Sequence, residues 1–516
     1  MSKRLYIHTV GCQMNVLDSE LVAAALVEAG YELVDGPSRA DTILFNTCSV
    51  RQHAEDKIYS ALGRLKHVKE HRPQTIIGVL GCMAEKDRAA IFRRARHVDL
   101  VVGPGQLGRL PAILAEVAAR REPRLEVGVE GVARVGGEDP PLPTRAPCAT
   151  PLRVVPGSRS VPGEGRGDKD PPLPPGEGRG EEAVPQDLAS TSESRRPGLR
   201  PSLGQALVRA MFGCNQGCAY CIVPRVRGPE RSRPAAEITA EVRGLVEQGC
   251  LEVTLVGQTV NHYSDRSEGR RLRLADLLAR LDAIDGLRRL RFVTNHPRFM
   301  TAELVAAVRD LPKVCPYLHV PAQSGSDQVL RRMRRGHTAE AYREMLERVR
   351  KEVPHAAVTS DFIVGFPGET EADFQQTVEL VRWGRFKNSF IFKYSPRPLT
   401  PAVELYADDV PEAVKRRRNN DLLAIQNAIS LEENRPFLGR RVEILVEGPS
   451  KTARRRGTDG GQVVQLAGRT VCDRIVVFDG PAELAGKLVQ VEITEVDAFT
   501  LFGEPREVAS GSIPNP

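Results

Sequence analysis

Three short apolar runs punctuate the first hundred residues, and each delivers a cysteine at its carboxyl end. Leu5 to Val10 is followed by Gly11 and Cys12, Thr42 to Thr47 by Cys48, and Thr75 to Leu80 by Gly81 and Cys82. Helical patterns follow the first two. Asp18 can cap a segment that sets Leu21, Val22, Ala25 and Leu26 on one face and stops at Gly30. The second segment carries Ala54, Ile58, Ala61, Leu65 and Val68 and ends before Pro73. Strand, loop and helix in repetition predict an open parallel sheet whose ligands sit at the carboxyl ends of its strands. Neighbouring strands lie about 4.8 Å apart, so thiols at such ends can approach within roughly 5 to 10 Å. Spacing alone also allows three buried, inert cysteines.

The pattern changes at about Gly128. From there to Gly204 the chain is rich in Pro, Gly, Arg and Glu, with the near-repeats Pro162 to Gly167 and Pro175 to Gly180. Such a stretch cannot bury enough apolar surface to offset roughly 1 to 2 kcal/mol of backbone entropy per residue, which predicts a disordered linker. Cys148 within it reads as a spare thiol.

Strand and helix patterns resume between Leu207 and about Leu431. The strands fall at Leu207 to Phe212, Glu252 to Val256, Leu290 to Thr294, Tyr317 to Val320, Ala357 to Val364 and Ser389 to Lys393. Six such βα units predict an incomplete α/β barrel with its chemistry at the carboxyl ends of the strands. Polar groups at those ends are candidate lining residues: Gln258, Asn295 and His296, Gln323 and Ser324, and the turn Gly365 to Glu369. Gly365 and Gly368 would admit close approach of a ligand to the backbone. After about Pro436 short β runs take over, at Arg441 to Glu447, Gln462 to Ala467, Arg474 to Phe478 and Lys487 to Thr494, with Asp459-Gly460 as a tight turn; they predict a small β-barrel. The fold class is therefore α/β, in five stretches: 1–127, linker 128–204, 205–435, 436–506 and a disordered tail 507–516.

The chemistry concentrates just after the first barrel strand. Cys214, Cys218 and Cys221 form a CxxxCxxC triplet, and three thiolates so spaced can hold three corners of a four-iron cluster. The fourth iron, left without a protein ligand, can chelate the amino and carboxylate groups of S-adenosylmethionine. With 10 cysteines in 516 residues, accident yields this spacing only about four times in a thousand. A structural zinc site would want a fourth ligand nearby, and the next cysteine is Cys250. Cys250, Cys315 and Cys472 lack triplet partners and read as packed thiols.

Composition adds little. A formal net charge of +7 permits a nucleic-acid partner. The basic runs Arg331 to Arg335, Lys415 to Arg418 and Arg454 to Arg456 read first as solvated faces, with RNA a partner for some. No run approaches the roughly 18 apolar residues needed to span a membrane. Cysteines grouped as metal triplets point to a reducing, cytoplasmic setting.

The triplet and the runs Gly11 to Asn15, Asn46 to Arg51, Gly81 to Glu85, Gln323 to Asp327, Ser360 to Glu369 and Lys393 to Pro398 together resemble the radical S-adenosylmethionine methylthiotransferases. The resemblance covers nearly all of the chain outside the linker, which is much longer than the connection usual in the family. It implies that Cys12, Cys48 and Cys82 hold an auxiliary 4Fe-4S cluster whose unliganded iron carries sulfur. Cys214, Cys218 and Cys221 would hold the cluster that generates a 5′-deoxyadenosyl radical. S-adenosylmethionine would serve as methyl donor and radical source, in a pocket including Gln258, Gln323, Ser324, Gly365, Gly368 and Glu369. Residues Gly439 to Gly503 resemble the TRAM module, OB-like and RNA-gripping. The implied partners are a tRNA carrying isopentenyladenosine and an electron donor such as flavodoxin or ferredoxin, with the enzyme a monomer. Sister branches act on threonylcarbamoyladenosine in tRNA or on a ribosomal-protein aspartate. Cys12-Gln13-Met14-Asn15 resembles the isopentenyladenosine branch, since the ribosomal-protein branch tends to carry Cys-Pro-Lys-Asn. A cluster-bearing RNA-binding regulator or electron carrier is the rival from another class, and it would not need a barrel.

Overall fold

Apolar strands covered on both faces build the first unit. In the computed structural model, which describes residues 3–49, 52–129, 204–456 and 463–506, six parallel strands run in the order β2-β1-β3-β4-β5-β6. They are β1 (Lys3–Val10), β2 (Tyr31–Leu33), β3 (Thr42–Thr47), β4 (Ile76–Gly81), β5 (Leu100–Val102) and β6 (Arg124–Glu126). Every residue of β3 and β4 is buried, as a parallel sheet sandwiched between helices requires. Helices α1 (Gln13–Glu28) and α5 (Leu110–Arg120) pack Val22, Leu26, Ile113 and Leu114 on one face. On the other, α2 (Gln52–His71), α3 (Cys82–Asp87) and α4 (Ala90–Arg94) pack Ile58, Leu62, Met83 and Phe92. The chain reverses direction across the sheet between β1 and β3, and a doubly wound sheet opens its ligand crevice at that switch point. Cys12 and Cys48 flank it.

The start of the first helix differs from the sequence reading. Helix α1 starts at Gln13 with Cys12 as its N-cap residue, so Asp18 lies in its second turn and caps nothing. Asp18 is instead buried and paired with Arg209 and Arg227 of the next unit.

The barrel consists of two three-stranded parallel sheets. Gln205–Arg209, Glu252–Val256 and Arg289–Phe292 form one; Tyr317–His319, Ala357–Val364 and Asn388–Lys393 form the other. A bridge from Leu290 to Val314 joins them. The first strand is shorter than Leu207 to Phe212. The chain breaks at Ala210, and Met211–Phe212 turn away to pair antiparallel with Arg231–Ser232. That departure aims the following cysteine loop across the mouth of the barrel.

Helix Glu412–Asn434 leads into a closed five-stranded barrel of Arg441–Pro449, Val464–Thr470, Ile475–Gly480, Leu488–Val496 and Thr500–Arg506. The last strand carried no turn signal before it in the sequence. Its turn is made by Asp497, whose Oδ1 accepts from the backbone N–H of Phe499 at 2.6 Å. Between the first two strands stands a short helix, Lys451–Arg456, which carries the basic run Arg454 to Arg456 and had no counterpart among the predicted elements. The linker reading, Cys148, the Asp459-Gly460 turn and the 507–516 tail fall on residues outside those described.

The barrel mouth meets the cysteine edge of the first sheet. Met14 and Leu17 of α1 pack against Val256 and Val293 at the carboxyl ends of two barrel strands. Burying side chains of this size contributes about 1.5 to 3 kcal/mol each.

Candidate functional site

Topology assembles the first triplet. Cys12, Cys48 and Cys82 follow the adjacent strands β1, β3 and β4, and the thiols of Cys12 and Cys48 are hydrogen-bonded to each other. Glycine makes the closeness possible. A Cβ on Gly11 would stand 2.9 Å from Cβ of Cys48, and Gly81, at φ +87°, would place one 2.3 Å from Oδ1 of Asn46. Asn15 and Asn46, both fully buried, stitch the loops together: Nδ2 of Asn15 donates to Oδ1 of Asn46 at 3.1 Å, and Nδ2 of Asn46 donates to the carbonyl of Asn15 at 2.9 Å.

The second triplet is folded as tightly. Gly213, at φ +58°, lies so near the carbonyl of Pro229 that a Cβ would come within 2.0 Å. The N–H of Cys214 donates to the carbonyl of Gly228 at 3.0 Å, and its thiol lies 3.5 Å from Oγ1 of Thr259. Nη1 of Arg335 reaches Sγ of Cys218 at 3.5 Å.

Burial and neighbouring charge act on the thiols of both sets. Burial, with the Cys218 and Cys214 charges adding to it, pushes the Cys221 thiol up to about 12; burial also raises Cys214 and Cys82. The hydrogen bond from Cys48, helped by Arg227, pulls Cys12 down to about 6. Thiols that disfavour each other's ionisation are relieved when a metal group shares their charge. Among the described residues, no three His, Cys, Asp or Glu side chains stand close enough to bind one ion. Three thiols per set, with an arginine beside each, form donor sets suited to a larger, cationic iron–sulfur core.

The two triplets meet. Cys82 shares one apolar cluster with Ile222 and Val226, and Ile222 directly follows Cys221. From the barrel side, Arg227 places Nε 3.2 Å from Sγ of Cys82, and Arg397 pairs with Glu55 at 3.6 Å beside Cys48.

The remaining strand-end residues divide into two kinds. Gln323, in a left-handed backbone at φ +71°, buries an Oε1 that has no partner, as does Asn295 with Oδ1; Gln258 lies half-buried nearby on the second strand end. A buried, unpaired amide oxygen costs about 1 to 3 kcal/mol, which a ligand donor would recover. His296 accepts from the N–H of Arg298 at 3.3 Å, and burial, with Arg335 nearby, pulls it down to about 2. Ser324 bonds Thr377 at 3.2 Å. Gly365 and Gly368 leave room for Lys415 and Arg332, whose carbons would lie 2.3 and 2.6 Å from an added Cβ. Oε2 of Glu369 accepts from the N–H of Gly365 at 2.5 Å and from Arg418 at 2.8 Å. That turn is braced by the protein's own side chains. The basic runs are likewise not simply solvated faces: Arg335, Lys415 and Arg418 are buried and paired.

Sequence reasoning missed Asn15, Asn46, Asp18, Arg227 and Arg335. Only Asn15 and Asn46, two or three residues from a cysteine, carried a local signal.

Comparison with known proteins fits this arrangement. The Radical SAM superfamily model matches residues 208–381, the Uncharacterized protein family UPF0004 model residues 4–103, and the TRAM domain model residues 435–505. The chain is 48% identical to a tRNA-2-methylthio-N(6)-dimethylallyladenosine synthase of Rhodopirellula baltica, covering 100% of this chain and 98% of that one. It is 41% identical to the like-named protein of Carboxydothermus hydrogenoformans, over 97% and 99%. In fold it is similar to the radical S-adenosylmethionine methyltransferase TsrM of Kitasatospora setae, with a TM-score of 0.50 and 15% identity over 78% of this chain and 75% of that one. Among the described residues no helix is long and apolar enough to cross a membrane.

Proposed function

The chain belongs to the family of the tRNA-2-methylthio-N(6)-dimethylallyladenosine synthases, and from that premise we propose that it adds a methylthio group to C2 of N6-isopentenyladenosine at position 37 of tRNA. Cys214, Cys218 and Cys221 hold one 4Fe-4S cluster, and Cys12, Cys48 and Cys82 hold the other. When bound, the clusters and S-adenosylmethionine supply reducing electrons, radical hydrogen abstraction, sulfur and the methyl group.

The protein's own part is placement. The observation that carries the reading is the packing of Cys82 on Ile222, which brings the two cysteine loops against one another across the interface between sheet and barrel. Ile222 and Val226 exclude water there, while Arg335 beside Cys218 and Arg227 beside Cys82 offset the negative charge of the thiolates. Gln323, with Gln258, Ser324 and the turn Gly365 to Glu369, shapes the S-adenosylmethionine pocket, and the partnerless Oε1 of Gln323 accepts from it. The terminal barrel holds tRNA, with Arg440, Arg441 and Arg454 exposed on it. A monomer reduced by a flavodoxin or ferredoxin in the cytoplasm completes the reading.

The division of labour is tested by Cys12→Ala. The variant should still cleave S-adenosylmethionine under reducing conditions while failing to thiolate RNA; unchanged thiolation would overturn the assignment.

A further inference from the structure

Arg227 belongs to the barrel yet is spent on the other unit. It lies on the short helix Val223–Arg227 and reaches 209 residues back in sequence to the N-terminal sheet. Its Nη2 donates to Oδ2 of Asp18 at 2.7 Å and its Nε to Sγ of Cys82 at 3.2 Å. Asp18 is shared. Its other oxygen, Oδ1, takes Nη2 of Arg209 at 2.5 Å. The side chains of Arg227, Arg209 and Asp18 are only 7%, 14% and 4% exposed.

Arg209 also faces Arg233 and Glu241, which pair with each other at 2.7 Å, so the three guanidinium groups and two carboxylates of this network leave one positive charge in excess. Burying a charge without a counterpart costs several kcal/mol, so an opposite charge must face it. The groups that face Arg227 on its free side are Cys82 and Cys12. Resting on the reading that Cys12, Cys48 and Cys82 hold a four-iron cluster, we infer that Arg227 is the counterion of that cluster, supplied in trans by the barrel. Three thiolates around an oxidised four-iron core of two positive charges leave one net negative charge, and reduction adds another. A fixed positive charge at hydrogen-bond distance from a ligand sulfur favours the reduced form, because both hydrogen bonds to sulfur and local charge set such potentials. Arg227 is a positioning residue with two effects: it raises the midpoint potential of the N-terminal cluster, and it makes that potential depend on docking of the barrel.

The test uses the full chain with Cys214, Cys218 and Cys221 changed to Ala, so that one cluster remains, and follows its reduction by electron paramagnetic resonance. Iron content comes first. If this background holds no four-iron cluster, the assignment of Cys12, Cys48 and Cys82 fails and the counterion role with it. If it does, Arg227→Gln should lower the midpoint potential and alter the signal, and Arg227→Lys should restore most of the potential. Arg209→Gln, which touches Asp18 but no cysteine, should shift it far less. An unchanged potential in Arg227→Gln at wild-type iron content, or an equal shift in Arg209→Gln, would overturn the inference.

Discussion

Arg291, in the third barrel strand, donates Nη2 to the backbone carbonyl of Thr470 in the terminal barrel at 2.7 Å. The contact is one of a set: Arg291 Nη1 reaches the carbonyl of Val471 at 2.9 Å, and Arg289 reaches those of Arg469 and Glu443 at 2.8 and 3.1 Å. Glu252 pairs with Arg291 at 3.0 Å, and Asp473 with Lys387 at 3.2 Å. Arg289 and Glu252 begin their strands and Lys387 directly precedes its own, so the set lies toward the amino ends of the barrel strands, opposite the cysteine loop. The turn Thr470 to Arg474 thus closes the floor of the barrel, whatever else its domain binds.

Removal of everything after Asn434 should therefore destabilise the barrel as well as weaken tRNA binding. Arg291→Ala tests the floor alone. It removes the 3.0 Å partner of buried Glu252 but leaves it Arg289 at 3.8 Å and the Gln205 amide at 3.1 Å, so it should cost less than a fully orphaned charge, about 1 to 3 kcal/mol in denaturant unfolding. Truncation at Asn434 with an unchanged unfolding midpoint would contradict the closure.

Acid should loosen the same contact. Burial alone would push the Asp473 carboxyl up, but Arg469, Lys387 and Arg291 outweigh it and hold Asp473 well below the usual carboxylate range. An acid so depressed adds stability at neutral pH that is lost as pH falls below its unfolded value of about 3.9. Asp473→Asn should be less stable at pH 7 and show a flatter decline on the acid side, measured by urea unfolding against pH.

Asn46 should matter more than its chemistry suggests. Its side chain serves Asn15, Ser19 and the close approach of Gly81, and so fixes three cysteine loops at once. Asn46→Ala leaves the buried Asn15 amide and carbonyl short of partners, at about 1 to 3 kcal/mol each. Iron bound per chain should fall by the share belonging to the N-terminal site, while S-adenosylmethionine cleavage persists.

Gln323 separates stability from binding. Its left-handed backbone costs about 1 to 2 kcal/mol for a residue with a Cβ. Gln323→Gly removes that strain along with a partnerless oxygen, so the protein should be as stable or more so. S-adenosylmethionine affinity, by anaerobic equilibrium dialysis, should fall about tenfold, the worth of one good hydrogen bond.

What could be read in the sequence was local. Strand ends and cysteine spacings are visible because a strand, its glycine and its cysteine are neighbours in the chain; β3 spans Thr42–Thr47 as expected. The first barrel strand was overextended because the break at Ala210 is set by pairing with Arg231–Ser232, beyond the reach of periodicity. Asp18 looked like a cap because its type and position suit one, and only the two arginines arriving from the barrel reveal its role. The same holds for Lys415 and Arg418, which sit three apart in a basic run and turn inward together to Asp408 and Glu369. Long-range charge pairs leave no trace in periodicity.

The central claim is the reaction itself, and nucleoside mass spectrometry of tRNA tests it most directly. The chain would be expressed in a bacterial strain lacking its own tRNA methylthiotransferase, beside a known active enzyme. Conversion of N6-isopentenyladenosine to its 2-methylthio form is the predicted result. Isopentenyladenosine left unmodified, while the active enzyme converts it, would contradict the account.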